Sequence, residues 1–101
     1  MLFMVLVVRG SFEWSREKAE KNVEKHGVTF VEAMTVLTSD DVVEEEDKAD
    51  LTRLITIGFS SHARMLFVVT TEMTDDDRVR IISARPASPT QRRKFAARRR
   101  P

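Results

Sequence analysis

Apolar residues at Phe30, Ala33, Met34 and Leu37 repeat with the i, i+3, i+4, i+7 spacing that lays one stripe of a helix against a core. A T-x-x-E capping box from Thr29 to Glu32 marks where that helix begins. Just upstream, REKAEKNVEKHG (residues 16–27) is built of good helix formers, with Ser15 as N-cap, Gly27 as stop and Glu17 four residues before Lys21. Only Ala19 and Val23 are clearly apolar in it, so this first helix belongs on the surface. Before it, the turn signal Arg9-Gly10-Ser11 leads into Phe12-Glu13-Trp14, whose alternation predicts a short half-buried strand.

Three runs rich in β-branched and large apolar residues follow, Arg53 to Phe59, Arg64 to Glu72 and Arg78 to Ala84. Their short connections leave no room for a helical crossover, so they should pair sequentially and antiparallel, with the continuously apolar MLFVV run as the central strand. Val42-Val43 suggests a short edge strand before a loop through Asp50. Pro86 ends the last run, and Ser88-Pro89-Thr90-Gln91 supplies an N-cap, a proline at N1 and Gln at N3 for a final helix. That helix exposes Arg92, Arg93, Lys94 and Arg98 and offers only Phe95 and nearby alanines for docking. The opening run MLFMVLVV is far short of the roughly 20 apolar residues of a membrane span. It also lacks the basic start and small-residue cleavage site of a signal peptide. It reads as a buried strand, or as an extension upstream of patterning that begins at Phe12.

At 101 residues, with 42% hydrophobic and 33% charged, the chain is of a size and composition for one soluble globular domain. Its expected parts are an N-terminal extension or extra strand over 1–11, a core over 12–95 and a basic tail over 96–101. With no cysteine it has neither disulfides nor thiolate metal sites, which is compatible with a reducing cytoplasm, the expected location, without demanding it. The net charge of +1 conceals a segregated distribution. Residues 38–50 carry seven carboxylates against one lysine, whereas from Arg78 onward there are nine Lys or Arg and no acid. Such a basic stretch suits a polyanionic partner.

On the first helix Lys18, Asn22 and Lys25 fall at i, i+4 and i+7, beside His26. Lysine holds phosphate and histidine moves protons near neutral pH, the needs of metal-independent phosphodiester cleavage; a solvated helix surface ending in a capping histidine has the same pattern. In RVRIISAR, strand alternation puts Arg78, Arg80 and Ile82 on one face, with Arg85 at the strand end. Glu72 is placed either as a base or as an ion-pair partner of Arg78 or Arg80. No glycine-rich phosphate loop, H-E-x-x-H or G-x-S-x-G is present, and two histidines, His26 and His62, make a zinc site unfavourable.

The segment FEWSREKAEKNVEKHGVTFVEA resembles the opening of the BrnT family of type II toxin components, F-x-W-D-x-x-K-A-x-x-N-x-x-K-H-G-V-x-F-x-E-A. TRLITIG, LFVVTTE and RVRIISAR resemble its later signature, so the likeness runs from Phe12 to about Phe95. The resemblance implies a RelE-like α+β fold: an antiparallel sheet of three to five strands, two N-terminal helices and a basic C-terminal helix. It also implies ribosome-independent RNA cleavage that inhibits translation, without cofactor, and inhibition by a BrnA-like antitoxin. That antitoxin would form a 2:2 heterotetramer with the toxin and itself contact operator DNA. The family's polar positions fall on Lys18, Asn22, Lys25, His26, Arg53, Glu72, Arg80 and Arg85. The expected roles are proton transfer by His26 or Glu72, charge stabilisation by Arg80 and Arg85 with little contribution to the fold, and RNA binding by Lys18, Asn22, Lys25, Arg53, Arg78, Arg92 and Arg93. Ser15, Pro86, Gln91 and Phe95 replace the family's usual Asp, Lys, Glu and Tyr. The last three favour a rival reading, a catalytically weak module that binds RNA or antitoxin. In either case RNA and antitoxin are expected to compete for the basic surface, the antitoxin anchoring on Phe95 or Met34 beside Arg92, Arg93 and Lys94.

Overall fold

The computed structural model describes residues 4–98. The elements run β1 (Leu6–Arg9), β2 (Phe12–Ser15), α1 (Arg16–His26), α2 (Phe30–Leu37), β3 (Val42–Glu46), β4 (Arg53–Phe59), β5 (Met65–Met73), β6 (Val79–Pro86) and α3 (Pro89–Arg98). The strands form one six-stranded sheet in the order β1-β2-β6-β5-β4-β3. As the pattern implies, β4, β5 and β6 pair sequentially and antiparallel, with β5 inside the sheet.

Three features depart from expectation. The sheet has six strands where three to five were expected, because the N-terminal run hairpins onto β2 and VVEEE forms a full strand. The pairing is also not wholly antiparallel: Phe12 and Glu13 lie parallel to Val79 and Arg80. Nor is β1 a buried strand. Leu6 and Val8 are exposed and only Val7 packs on the core, because β1 is the outermost strand and has a neighbour on one edge only. The expectations for Met1 to Phe3 and for Arg99 to Pro101 lie outside the described residues.

Capping follows the local sequence closely. Ser15 accepts from the Lys18 amide, Thr29 from the Glu32 amide, and Gly27 closes α1 in the left-handed region at φ 66°. At α3 the box is reciprocal: Gln91 N donates to Ser88 Oγ and Ser88 N donates to Gln91 Oε1. At α2 only half of it forms, since Glu32 turns its carboxylate to Arg64 instead.

Helices cover both faces of the sheet. Under α1 and α2, Trp14, Val28, Phe30, Val36, Leu66, Val68, Ile81 and Ala84 form the larger core, with Trp14 and Phe30 edge to face at 6.0 Å. Under α3, Val43, Ile55, Ile57, Val69 and Phe95 form the smaller one. Gly58 lets α2 and β3 close on β4, since a Cβ there would lie 2.9 Å from Val42 Cγ1 and 3.2 Å from the Asp41 carbonyl. Among the described residues no helix is long and apolar enough to cross a membrane.

Candidate functional site

β2 pairs with β6 only at Val79 and Arg80, which leaves the outer edge of β6 open further along. α1 lies against that edge, and Asn22 closes it. The side-chain Nδ2 donates to the carbonyls of Ala84 (2.8 Å) and Val28 (2.9 Å), while the Ala84 amide donates to Asn22 Oδ1 at 3.2 Å. The amide thus imitates a neighbouring strand, satisfying backbone groups that would otherwise be unpaired. Asn22 is 6% exposed with its amide engaged on both atoms, so its expected role in RNA binding gives way to this structural one. Asn22→Leu, which removes all three bonds inside a buried contact, should cost about 3 kcal/mol in urea unfolding.

With Asn22 as its floor, Lys18, Lys21, Lys25 and His26 line one wall of an open groove of about 200 Å³, and Ile82 and Ser83 line the other. Arg64 Nη2 donates to the Gly27 carbonyl at 2.9 Å, fixing the end of α1 beside the half-buried His26. The sequence-expected Lys18, Lys25 and His26 therefore do come together, as donors and a titratable imidazole facing β6.

The arginines on β6 divide. Arg80 Nε donates to Glu13 Oε2 at 2.7 Å, and Arg78 Nε approaches Glu13 Oε1 at 3.4 Å. Glu13 is 1% exposed. Hydrogen bonding from Arg80 holds its carboxyl below the usual range; burial opposes this, and the charges of both arginines and the Arg78 bond reinforce it. Arg80 is thus committed to a buried carboxylate, contrary to the expectation that it contributes little to the fold, and the partner is Glu13 where Glu72 was considered. Arg85, in contrast, is exposed and lies 4.6 Å above the Phe67 ring centroid in a cation–π contact.

Glu72 sits apart from the groove. It lines a pocket with Phe12 and Leu37 on the face that carries α2, whereas Glu13 and Arg80 lie on the other face of the sheet. Arg53 pairs with Asp50 at 3.3 Å, and neither lines the groove. On α3, Arg92 is exposed and Arg93 donates to Thr90, but Lys94 and Arg98 reach Glu45 of β3 at 2.6 and 3.5 Å. Phe95, 4% exposed, stacks edge to face on Phe59 at 5.8 Å, and half-buried Met34 packs on the core. Neither offers an antitoxin the free apolar anchor expected of it.

Two buried carboxylates were missed from sequence, Glu13 and Glu32. The only signal for Glu13 was its place between two aromatic residues of a strand, which turns it to the face opposite theirs. Glu32, read as a capping residue, receives Arg64 Nε (2.8 Å), Arg64 Nη2 (2.6 Å) and Ser60 Oγ (2.7 Å), with His62 Nδ1 at 3.2 Å. Arg64 chiefly, then Ser60, lowers its pKa against the effect of burial. Among the described residues no group of three or more His, Asp or Glu is placed to hold a metal ion.

The pattern of the family described as ribonuclease toxin, BrnT, of type II toxin-antitoxin system matches residues 14–91. The chain belongs to the BrnT family. The crystal structure of the Brucella abortus ribonuclease toxin, BrnT, superposes with a TM-score of 0.60 at 26% identity, over 74% of this chain and 92% of that one. A search of curated proteins found no match. The BrnT-matched segment contains every residue lining the groove, whereas β1, Arg92, Arg93 and Phe95 fall outside it. As a member of a type II toxin-antitoxin family, the chain has an antitoxin as its implied partner.

Proposed function

We propose that the groove between α1 and β6 is the RNA-cleaving centre of a BrnT toxin. The observation that carries this reading is the gathering of Lys18, Lys25 and His26 against Ile82-Ser83, within the family-matched segment. His26 takes the proton of the ribose 2′-OH, and that oxygen attacks phosphorus. The P–O5′ bond breaks, and a lysine ammonium of the groove returns a proton to the leaving oxygen. Exposed Arg85 draws the phosphate into reach and stabilises its growing charge. The products are a 2′,3′-cyclic phosphate and a 5′-hydroxyl. Cleavage of cellular RNA in this way arrests translation until the antitoxin binds.

The groove is lined by ammonium and imidazole groups, and among the described residues there is no cluster of metal ligands, so the reaction is proposed to run without a metal. RNA cleavage should persist in EDTA at an undiminished rate. Strict dependence on added divalent cation would overturn the mechanism. A second reading, a binding module without turnover, is favoured by the commitment of Arg80 to Glu13 and of Gln91 to a helix cap. RNA binding with no cyclic-phosphate product under single-turnover conditions would establish it.

A further inference from the structure

α2 ends at Leu37, leaving one end of its sheet face uncovered. There Phe12, Leu37, Leu54 and Val79 line an apolar pocket of about 340 Å³ whose walls also include Glu44 and Glu72. Leu54 is 36% exposed, and Met73 at the rim 63%. Among the described residues no lysine or arginine lines the pocket. The neighbouring Glu45, on the opposite face, is neutralised by Lys94 and Arg98, but Glu44 and Glu72 have no ion-pair partner among the described residues. Exposed Asp75 and Asp77 in the β5–β6 turn add to the negative field. Such a surface repels phosphate and attracts cations, while its floor attracts an apolar side chain.

We propose that this pocket docks the antitoxin through a cationic amphipathic segment. One large apolar side chain enters between Leu54 and Val79, and Lys or Arg residues flanking it face Glu44 and Glu72. The inference takes from the family reading only that a protein partner exists; it does not require that this chain cleave RNA. The pocket and the groove at Lys18, Lys25 and His26 share no lining residue, so RNA and this segment occupy separate surfaces, in place of the shared basic surface expected from sequence.

The test uses a labelled synthetic amphipathic helix of leucine and lysine, its leucine–glutamate counterpart and a short RNA, read by fluorescence anisotropy on the full chain. The cationic peptide should bind. Leu54→Ser should weaken it about 10-fold, the value of losing one buried apolar contact. Glu44→Gln with Glu72→Gln should weaken it as much and flatten its salt dependence. Lys18→Ala with Lys25→Ala should leave it unchanged, and RNA should not displace it. Should Leu54→Ser prove unfolded by urea titration, Met73→Ser at the exposed rim replaces it with the same expectation. Equal binding of the leucine–glutamate peptide, indifference to the pocket substitutions or displacement by RNA would overturn the proposal. So would self-association of the parent chain that Leu54→Ser abolishes, which would make a second copy the occupant. RNA cleavage is measured separately, so an inactive parent leaves this result readable.

Discussion

An Arg78→Ala/Arg80→Ala double variant should be less stable than the parent chain by about 3–5 kcal/mol at neutral pH, the cost of leaving a buried carboxylate without its partners. Glu13 is almost wholly buried and its described charged partners are these two guanidinium groups. The pH dependence gives the prediction a signature. In the parent the folded-state pKa of Glu13 lies below the ordinary value of 4.5. Between those two values the unfolded chain binds a proton that the folded chain does not, so stability rises with pH there. The contribution is complete above the ordinary carboxylate range and is lost as pH falls through the folded value. In the double variant burial acts alone and favours the neutral acid, so acidification should narrow the gap between the two proteins. Urea unfolding at pH 7 and near pH 4 measures both effects. A variant as stable as the parent but defective in cleavage would return Arg80 to the catalytic centre.

His26→Ala should lower single-turnover RNA cleavage by about 10²- to 10⁴-fold, the usual weight of a positioned proton-transfer group. Its melting temperature should barely move, because His26 is half-exposed at the end of α1 and lies outside both apolar cores. Glu72→Gln is the informative companion. Glu72 lines the pocket under the end of α2 and not the groove, so this substitution should leave cleavage unchanged. The reverse pair of results would move the chemistry to the acidic end of the sheet.

What the sequence disclosed follows the range of the interactions involved. Ser15 with Lys18, Thr29 with Glu32 and Ser88 with Gln91 are three residues apart, so each cap is written in a local word. The hairpins β4–β5 and β5–β6 were legible for the same reason. The parallel contact of β2 with β6 was not, because nothing near Phe12 marks Val79 as its neighbour. That contact decides the fate of Arg80: Glu13, 67 positions away, reaches it, while Glu72, close in the chain, faces the other side of the sheet. β3 was legible only in its first two residues, Val42 and Val43. Three consecutive glutamates look like a loop, but an edge strand tolerates them, and Glu45 is steadied by Lys94 and Arg98. Of the candidate site, helical spacing grouped Lys18, Lys25 and His26, which line one groove, but the same spacing included Asn22, whose carbonyl and amide partners at Ala84 lie 62 positions on.

That 62-residue span has a consequence for synthesis. Chains emerge from the ribosome N-terminus first, and α1 leaves long before the strand it must lean on. Until β6 has been made and has zipped onto β5, Asn22 has no edge to close, and the groove has only one wall. A nascent chain can carry every lysine and the histidine of the site while lacking the site itself. If the groove is the cleaving centre proposed above, the chain gains that centre only once β6 has cleared the ribosome.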